Sequence, residues 1–508
     1  MTDNLFAILE SRIAAEPERE FVRTTDGRRY RNADVLALTA RIGAHLRGLG
    51  VKPGDRIAVQ VDKSPEVVLL YLACLRVGAV YLPMNTAYTE EEVAYFLGDA
   101  EPVLFVHRPE DQTRAARLAR RYHVARTATL DGHGGGTLIE QARAVAPDER
   151  VEARSRDDLA AILYTSGTTG RSKGAMLSHG NLASNAATLV DFWRFTRDDC
   201  LIHALPIFHT HGLFVACNVI LMAAGCMILL PGFDPGQILS LMPEATSLMG
   251  VPTFYTRLLQ HPGLNRQVAA NMRLFTSGSA PLTAETHRAF EERTGHRILE
   301  RYGMTETNMN TSNPYAGERR AGTVGFPLPG VSLRVADRAS GRRVPQGQIG
   351  ILEVRGPNVF KGYWRMPEKT RQEFREDGYF ITGDLGFVDA DGYVHIVGRD
   401  KDLIISGGYN VYPKEVERVI DEVPGVVESA VIGLRHPDFG EGVAAAVVAE
   451  RGASLTEADI IASLQDRLAR YKQPKKIFFV TDLPRNVMGK VQKNRLRERY
   501  QGTFVDPA

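Results

Sequence analysis

The stretch Tyr164-Thr165-Ser166-Gly167-Thr168-Thr169-Gly170-Arg171-Ser172-Lys173-Gly174 is the most informative part of the chain. It directly follows an apolar, strand-like run at 160–164. Its glycines allow a backbone to approach a phosphate group closely, and backbone N–H groups, hydroxyl groups and a lysine donate hydrogen bonds to such a group. The stretch is therefore predicted to be a phosphate-binding loop.

Two other interpretations of this loop are less consistent with the sequence. The GxxxxGK[ST] spacing of P-loop kinases and ATPases fails, because Ser172 stands where that pattern requires a glycine. A surface loop rich in Ser, Thr and Gly would explain the composition but not the strand that precedes it. We therefore retain a phosphate loop of a different kind.

Strand-like and helix-like segments alternate on the N-terminal side of this loop. We predict strands at 56–61, 79–84, 102–107 and 160–164, and helices at 65–76 and 90–97. Such alternation is typical of parallel α/β layers. From about Arg399 the pattern changes, with strands predicted at 426–434 and 476–481, an apolar stretch at 442–449 and a helix at 457–471. The predicted fold class is α/β, with a large N-terminal domain of several subdomains and a small, mobile α+β C-terminal domain.

The composition limits the classes of partner. The chain has 508 residues, more than one ordinary core holds, with 44% hydrophobic and 24% charged residues. A net charge of +2 provides no field that favours nucleic acid or an anionic membrane. The four cysteines, Cys74, Cys200, Cys217 and Cys226, form no CxxC pair, which fits a reducing compartment and no structural metal.

We expect a cytoplasmic location. Residues 1–12 lack the basic head and apolar run of a secretory signal. The uncharged stretch 213–230 is long enough to suggest a membrane span, but Asn218 and Gly225 interrupt it. A buried helix followed by a short strand at 226–230 is the preferred interpretation.

Three further motifs carry groups suited to a nucleotide. Residues 301–306, Arg-Tyr-Gly-Met-Thr-Glu, offer an aromatic face for a base and a hydroxyl and carboxylate suited to Mg²⁺ and phosphate oxygens. Asp384 follows a turn and has the acceptors for two ribose hydroxyls, and 398–402 begins the change of composition. In 484–490, Lys490 follows a glycine, and its ammonium would stabilise two anions that must approach each other. One more exposed lysine in a basic tail is the alternative for Lys490.

In this order and spacing, the motifs resemble the acyl-adenylate-forming superfamily of acyl-CoA synthetases, peptide-synthetase adenylation domains and beetle luciferases. The resemblance covers nearly the whole chain. It implies an N-terminal AMP-binding and acyl-pocket domain at 1–398, a hinge at 399–401 that includes Lys401, and a C-terminal lid at 402–508. It also implies ATP, Mg²⁺ and coenzyme A as cofactors and co-substrates.

The resemblance assigns a role to each matching residue. Tyr302 and Gly303 are expected to contact adenine, Thr305 the α-phosphate, Glu306 the Mg²⁺ ion, and Asp384 and Arg399 the ribose. Residues of the phosphate loop are expected to hold the β- and γ-phosphates: Thr165, Ser166, Gly167, Thr168, Thr169, Gly170 and Lys173. Ser279, Ala280 and Pro281 are expected to flank the adenine and AMP, with Ser279 also bordering the substrate.

A two-step mechanism follows from the resemblance. A carboxylate attacks ATP to give acyl-AMP and pyrophosphate, with Lys490, Glu306 and Thr305 as catalytic residues. The lid then rotates, withdraws Lys490 and brings Gly407 and Gly408 to a tunnel for the thiol of coenzyme A. Lys490 is also a plausible target of a lysine acetyltransferase, because acetylation would remove its charge.

His209 and Arg301 are expected to border the acyl pocket. His209 resembles the residue that closes the thiol tunnel, whereas His211 has a structural interpretation. Relatives commonly have an uncharged residue at the position of Arg301, and a guanidinium there would suit a second carboxylate. Strand alternation places Glu300 on the opposite face, so it does not simply neutralise Arg301. A pair between Arg301 and a structural carboxylate elsewhere is the alternative.

Arg301, together with the stretch 250–257 and the motif Ser277-Gly278-Ser279-Ala280, resembles the malonyl-CoA synthetases within the superfamily, which implies malonate as the substrate. Methylmalonate remains open, as do other short-chain, fatty, aromatic and oxalic acids. Peptide-synthetase adenylation is disfavoured, because 218–222 has no acidic residue to hold an amino group. A catalytically silent AMP-binding protein is disfavoured by the presence of Glu306, Asp384 and Lys490.

Overall fold

The computed structural model describes residues 2–165, 172–450, 452–465, 467–486 and 489–504. Within these ranges the strands form four sheets. One large apolar core joins buried residues between Leu5 and Phe380, and a separate core joins residues between Ile404 and Ile477. The predicted fold class is confirmed: a large α/β N-terminal domain precedes a small C-terminal domain.

The strands are, in chain order, β1 (Glu20–Thr24), β2 (Arg29–Arg31), β3 (Arg56–Gln60), β4 (Val80–Pro83), β5 (Leu104–His107), β6 (Arg126–Thr129), β7 (Leu159–Thr165), β8 (Lys173–Ser178), β9 (Cys200–His203), β10 (Cys226–Leu229), β11 (Ser247–Gly250), β12 (Leu274–Ser277), β13 (Leu299–Met304), β14 (Asn308–Ser312), β15 (Phe326–Pro327), β16 (Ser332–Ala336), β17 (Gly350–Arg355), β18 (Phe380–Val388), β19 (Val394–Arg399), β20 (Ile404–Ser406), β21 (Tyr409–Val411), β22 (Val426–His436), β23 (Gly440–Ala449) and β24 (Lys476–Phe479).

The α-helices are α1 (Leu5–Ile13), α2 (Asn32–Gly48), α3 (Pro65–Arg76), α4 (Glu90–Ala100), α5 (Gln112–Arg121), α6 (Thr137–Ala144), α7 (His179–Phe192), α8 (Asn218–Ala223), α9 (Pro235–Leu241), α10 (Pro252–Gln260), α11 (Ala284–Thr294), α12 (Pro367–Glu373), α13 (Pro413–Asp421), α14 (Glu457–Leu464) and α15 (Lys493–Tyr500).

Two large sheets build most of the N-terminal domain. One has the order β6-β5-β3-β4-β7-β8, and the other has the order β15-β14-β13-β12-β11-β9-β10-β1-β2. The run from β1 to β13 in the second sheet is parallel, so β9, β11, β12 and β13 all end at the same edge. Loops that follow parallel strands at this edge are where α/β sheets bind ligands.

The predicted strands and helices before the phosphate loop are confirmed. Ser64 caps α3 by accepting a hydrogen bond from the Val67 N–H, and Pro65 occupies its first turn. Thr89 and Glu92 form a reciprocal capping box at the start of α4. Such caps satisfy the N–H groups that a helix start leaves without partners.

The C-terminal domain contains the sheet β21-β20-β23-β22, with β24 paired in parallel with β23. The predicted helix 457–471 was too long, because α14 ends at Leu464. Ala469 is extended and Tyr471 stacks on Tyr409, with ring centroids 4.7 Å apart. This aromatic contact replaces the helical continuation that the apolar spacing suggested.

The uncharged stretch 213–230 lies in the core of the N-terminal domain. A π-helical segment, His211–Cys217, continues into α8, and β10 follows. Across the residues that the structure describes, no helix has the length and apolar character to cross a membrane. Cys200 and Cys226, opposite each other on β9 and β10, form a disulfide, whereas Cys74 and Cys217 are buried free thiols.

Candidate active site

The phosphate-loop prediction is supported at both ends of the loop. Thr165 ends β7 and pairs in antiparallel register with Lys173, which begins β8. Five of the predicted phosphate ligands lie outside the described residues: Ser166, Gly167, Thr168, Thr169 and Gly170. Lys173 Nζ lies 4.1 Å from the ring centroid of Tyr363 and 3.4 Å from a carboxylate oxygen of Glu373.

Tyr363 connects this lysine to the predicted metal ligand. Its hydroxyl donates a hydrogen bond of 3.0 Å to Glu306 Oε1. Burial raises the pKa of Glu306, and Lys173 and Arg399 oppose that rise. The predicted phosphate and Mg²⁺ groups therefore lie together, although they are more than a hundred residues apart in sequence.

Glu306 and Thr305 occupy the short connection between β13 and β14. The register of this pair shifts between Tyr302 and Gly303, which indicates a bulge. A Cβ atom at Gly303 would overlap the carbonyl oxygen of Asn308, so only glycine fits this position. Gly303 thus permits close approach of the neighbouring strand, and its predicted contact with adenine stays a prediction. Thr305 is half-buried.

The three residues expected to hold adenosine form one cluster. The Tyr302 hydroxyl donates to Asp384 Oδ2 at 2.5 Å, and Arg399 Nε lies 2.6 Å from Asp384 Oδ1. Asp384 and Arg399 are register partners on β18 and β19. Thr382 Oγ1 accepts a hydrogen bond from the Asp384 N–H, which fixes the turn that presents the carboxylate.

Ser279, Ala280 and Pro281 follow β12 at the binding edge of the large sheet. Ser279 adopts a left-handed backbone conformation with φ of 69°. The loop is anchored one residue later, where the Leu282 N–H donates to Glu300 Oε1 at 3.0 Å. Burial raises the pKa of Glu300 to about 8.

Arg301 is a buried cation that has no ion pair in the part of the chain that the structure describes. Only 2% of the residue is exposed, and its Nε and Nη2 atoms have no hydrogen-bond partner. A Cβ atom at Gly278 would overlap the guanidinium, so this glycine leaves the space that Arg301 occupies. Burial lowers the pKa of Arg301 to about 9, against a smaller opposing effect of Tyr255 and Glu300. The site therefore presents unpaired N–H donors.

Two histidines lie beside Arg301. Burial, together with the charges of Arg301 and Lys490, lowers the pKa of His209 to about 4. Burial and Arg301 also hold the pKa of His211 well below its usual range, and His211 Nδ1 lies 3.4 Å from Ser279 Oγ. Both rings are therefore neutral at physiological pH and do not compete with Arg301 for an anion.

Lys490 faces the nucleotide cluster from the C-terminal domain. Although the residue retains solvent contact, desolvation in the cleft and the charges of Arg399 and Lys401 lower its pKa to about 8. A Cβ atom at Gly489 would lie 3.0 Å from Thr253 Oγ1 of the N-terminal domain. The lid is thus packed against the N-terminal domain, and the predicted catalytic lysine lies at the solvent-exposed edge of the cleft.

Gly407 and Gly408 are not part of this cluster. They form the exposed two-residue turn between β20 and β21, with φ values of 59° and 82°. Lys401, the predicted hinge, lies in a short helical turn at Asp400–Asp402. Asp400 pairs with Arg338 of the N-terminal domain at 3.2 Å, and Asp402 pairs with Arg497 of the lid at 2.7 Å.

The sequence did not identify two residues of this site, Tyr363 and Glu373, which contact Lys173. Contacts between distant segments leave no local spacing in the sequence, so these two residues carried no signal. Gly278 belongs to a motif that the resemblance includes, but its role of making space for Arg301 is visible only in the structure.

Comparisons with known proteins agree with this site. A family model described as AMP-binding enzyme matches residues 9–364, and one described as AMP-binding enzyme C-terminal domain matches 415–490. A feruloyl-CoA synthase from Amycolatopsis sp is 37% identical over 92% of this chain and 93% of its own length. A malonate–CoA ligase from Arabidopsis thaliana is 36% identical over 89% of this chain and 79% of its own.

Among solved structures, ATP-bound MatB from Rhodopseudomonas palustris is similar over 99% of this chain and 100% of its own, with 58% identity and a TM-score of 0.97. The apo form of the same protein gives a TM-score of 0.87 over the same shares. The domain arrangement described above is therefore more similar to the ATP-bound form.

Proposed function

The chain belongs to the AMP-binding enzyme family, and from that premise we propose that it joins malonate to coenzyme A, using ATP and releasing AMP and pyrophosphate. It is an AMP-forming acyl-CoA synthetase. The catalysis requires no covalent protein nucleophile, because ATP supplies the activated leaving group.

The observation that carries the choice of malonate is the unpaired, buried guanidinium of Arg301. A buried charge without a partner is strongly unfavourable, and a bidentate carboxylate is its best-matched partner. A dicarboxylic acid supplies one carboxylate to Arg301 and leaves the other free to react. A monocarboxylic acid such as ferulate would leave the guanidinium without an anion. Sequence identity alone does not decide between the two acids, because the feruloyl-CoA synthase and the malonate–CoA ligase are about equally similar to this chain.

In the first half-reaction, a carboxylate oxygen attacks the α-phosphorus of ATP, and the bond to pyrophosphate breaks. Lys490 supplies an ammonium between the two approaching anions, and Thr305 is assigned to donate to the α-phosphate. Tyr302, Asp384 and Arg399 hold the adenosine in place. The contacts already present among these three residues keep the site organised before ATP binds.

The residues present also fit a Mg²⁺ ion. Glu306 is a buried carboxylate whose pKa is raised by desolvation, so a divalent cation would restore its ionised form. Oxygen donors of this kind suit Mg²⁺, which when bound would neutralise phosphate charge. The neighbouring Lys173 holds a second positive charge on the same side.

In the second half-reaction, the thiol of coenzyme A attacks the acyl carbon and AMP leaves. We propose that residues 1–398 and 402–508 move relative to each other about 399–401, which removes Lys490 and brings Gly407 and Gly408 to the thiol. The domain arrangement is similar to that of the ATP-bound relative, and in it Gly407 and Gly408 are exposed and away from the cleft. A movement of the lid is therefore needed to bring them to the thiol. His209 borders the acyl pocket and is assigned to closing the tunnel.

We also propose a location and a form of regulation for this protein. The need for ATP and coenzyme A supports a cytoplasmic location. The number and spacing of the cysteines no longer support it, because Cys200 and Cys226 form a disulfide. Acetylation of Lys490 by a lysine acetyltransferase would remove the catalytic charge and switch off the first half-reaction. Mass spectrometry that finds only unmodified Lys490 in inactive cellular protein would contradict this regulation.

A panel of acids tests the function. The purified protein is given ATP, Mg²⁺, coenzyme A and one of malonate, methylmalonate, butyrate, oxalate or ferulate, and pyrophosphate and acyl-CoA are measured. Malonate should give the highest kcat/KM, with methylmalonate as the nearest competitor. A preference for butyrate or ferulate would refute the dicarboxylate assignment, and no pyrophosphate with any acid would indicate a silent nucleotide-binding protein.

A further inference from the structure

A second buried cation lies outside the residues assigned to the reaction. Lys63 follows β3, and its ammonium donates to the His203 carbonyl oxygen at 2.8 Å and contacts His203 Nδ1 at 3.0 Å. Among the residues described, no carboxylate lies within 4.0 Å of it. Burial lowers the pKa of Lys63 to about 7. The fold therefore keeps a lysine where a neutral side chain would be less costly to bury.

The Gly212 carbonyl fixes the hydrogen on the histidine ring. A carbonyl oxygen only accepts, so His203 Nε2 carries the hydrogen and Nδ1 accepts from Lys63. His203 Nε2 lies 2.8 Å from the carbonyl oxygen of Gly212 and donates to it. The Cys217 thiol also donates to that oxygen, at 3.3 Å. Lys63 is thus linked through one histidine to the backbone of Gly212.

Gly212 lies in the segment that carries His211 beside Arg301, where the proposed function locates the acyl pocket. It directly follows His211, within the π-helical segment His211–Cys217. Such segments are rare and often occur at functional sites. A Cβ atom at Gly212 would overlap the carbonyl oxygen of Pro206, so the loop that carries His209 is folded tightly against the start of this segment. A shift of the Gly212 carbonyl would therefore move both pocket histidines.

We propose that Lys63, acting through His203 and the Gly212 carbonyl, is a positioning residue that holds this histidine-bearing segment in place against the bound acid. The proposal rests on the proposed function, because it assigns the segment to the acyl pocket. Lys63 contacts neither the acid nor the nucleotide. Its effect is on the fit of the acid beside Arg301.

The test compares Lys63→Met with wild type in steady-state kinetics and thermal unfolding. Loss of a charge-assisted hydrogen bond predicts a rise of about tenfold in the KM for malonate, with the KM for ATP unchanged. The Tm should stay equal or rise, because the variant removes a buried charge that lacks a carboxylate. If Lys63 had only a structural role, Lys63→Met would instead lower the Tm and change the KM values for malonate and ATP by the same factor.

A second pair of variants keeps the test independent of Lys63 itself. His203→Leu removes both ring contacts, the one with Lys63 and the one with the Gly212 carbonyl, and should reproduce the Lys63→Met rise in the KM for malonate. His203→Gln retains an acceptor and a donor and should restore most of the affinity for malonate. His107→Leu is the matched control. His107 is a buried histidine with a backbone partner, Arg108 O at 2.8 Å, in the other large sheet. It should leave the KM for malonate unchanged.

Unchanged malonate KM values in Lys63→Met and His203→Leu would overturn the positioning role. So would equal increases in the KM values for malonate and ATP. The same variants are assayed with whichever acid the wild type uses best. A wild type that prefers another acid refutes the malonate assignment, while a selective rise in the KM for that acid in Lys63→Met still supports positioning.

Discussion

Replacing Arg301 by methionine is expected to remove the preference for a dicarboxylic acid. Methionine keeps much of the side-chain volume but leaves the second carboxylate of malonate without a partner in a pocket where Arg301 is 2% exposed. Breaking a buried ion pair in this way costs about 3 to 5 kcal/mol. At tenfold per 1.4 kcal/mol, the kcat/KM for malonate should fall by about two to three orders of magnitude or more.

The assay for this variant is the ratio of kcat/KM values for malonate and butyrate, measured by pyrophosphate release. Because the pocket becomes apolar, activity on butyrate should rise relative to malonate. Arg301→Lys is the matched control, since it keeps the charge without the planar fork and should rescue only partly. An unchanged ratio in Arg301→Met would show that Arg301 does not bind the second carboxylate.

The same substitution has an expected effect on stability. The guanidinium is ionised but lacks a partner in the free protein, and burial lowers its pKa to about 9. A base whose pKa is lowered by folding destabilises the folded state at every pH below that pKa. Arg301→Met should therefore unfold at a higher Tm than wild type at neutral pH without malonate. A clear fall in Tm would mean that Arg301 has a structural partner.

Three more predictions concern the lid. Lys490→Ala should abolish adenylation but spare thioester formation from supplied acyl-AMP, and comparable losses in both half-reactions would exclude the proposed role. Since the pKa of Lys490 is lowered to about 8, the adenylation rate should decline as the pH rises through 8. An active Lys490→Arg variant should not show this decline, because arginine stays charged. Lys401→Pro fixes φ at the hinge, so pyrophosphate exchange should persist while transfer to coenzyme A fails; normal activity in both would place the hinge elsewhere.

Most of the fold was predictable because local signals agreed with the final structure. The Ser64-Pro65 start and Arg76 end of α3 match the prediction residue for residue, since a cap, a proline and a continuous apolar run define them. The helix predicted at 457–471 was too long, because the Tyr471–Tyr409 contact depends on a residue far away in sequence. The π-helical segment His211–Cys217 also had no signal in the sequence, and its Gly212 carbonyl accepts from His203, which lies outside the segment.

The candidate site was predictable where a motif carries its own chemistry. Tyr302, Asp384, Arg399 and Lys490 lie together as the resemblance implied. The sequence also predicted that Glu300 would not neutralise Arg301, and Glu300 Oε1 instead accepts from the Leu282 N–H. Whether Arg301 pairs with a distant carboxylate was open from the sequence alone, because only three-dimensional packing determines which charges meet. The structure provides no such partner among the residues it describes.

Isotope transfer from malonate to AMP tests the central claim most directly. The protein is incubated with malonate labelled with ¹⁸O in both carboxylates, together with ATP, Mg²⁺ and coenzyme A, and the nucleotide product is analysed by mass spectrometry. If a malonate oxygen attacks the α-phosphorus and the thiol then displaces AMP, each malonyl-CoA formed should be accompanied by one AMP that carries a single ¹⁸O atom. Malonyl-CoA formed with unlabelled AMP, or with ADP and labelled phosphate, would contradict the account.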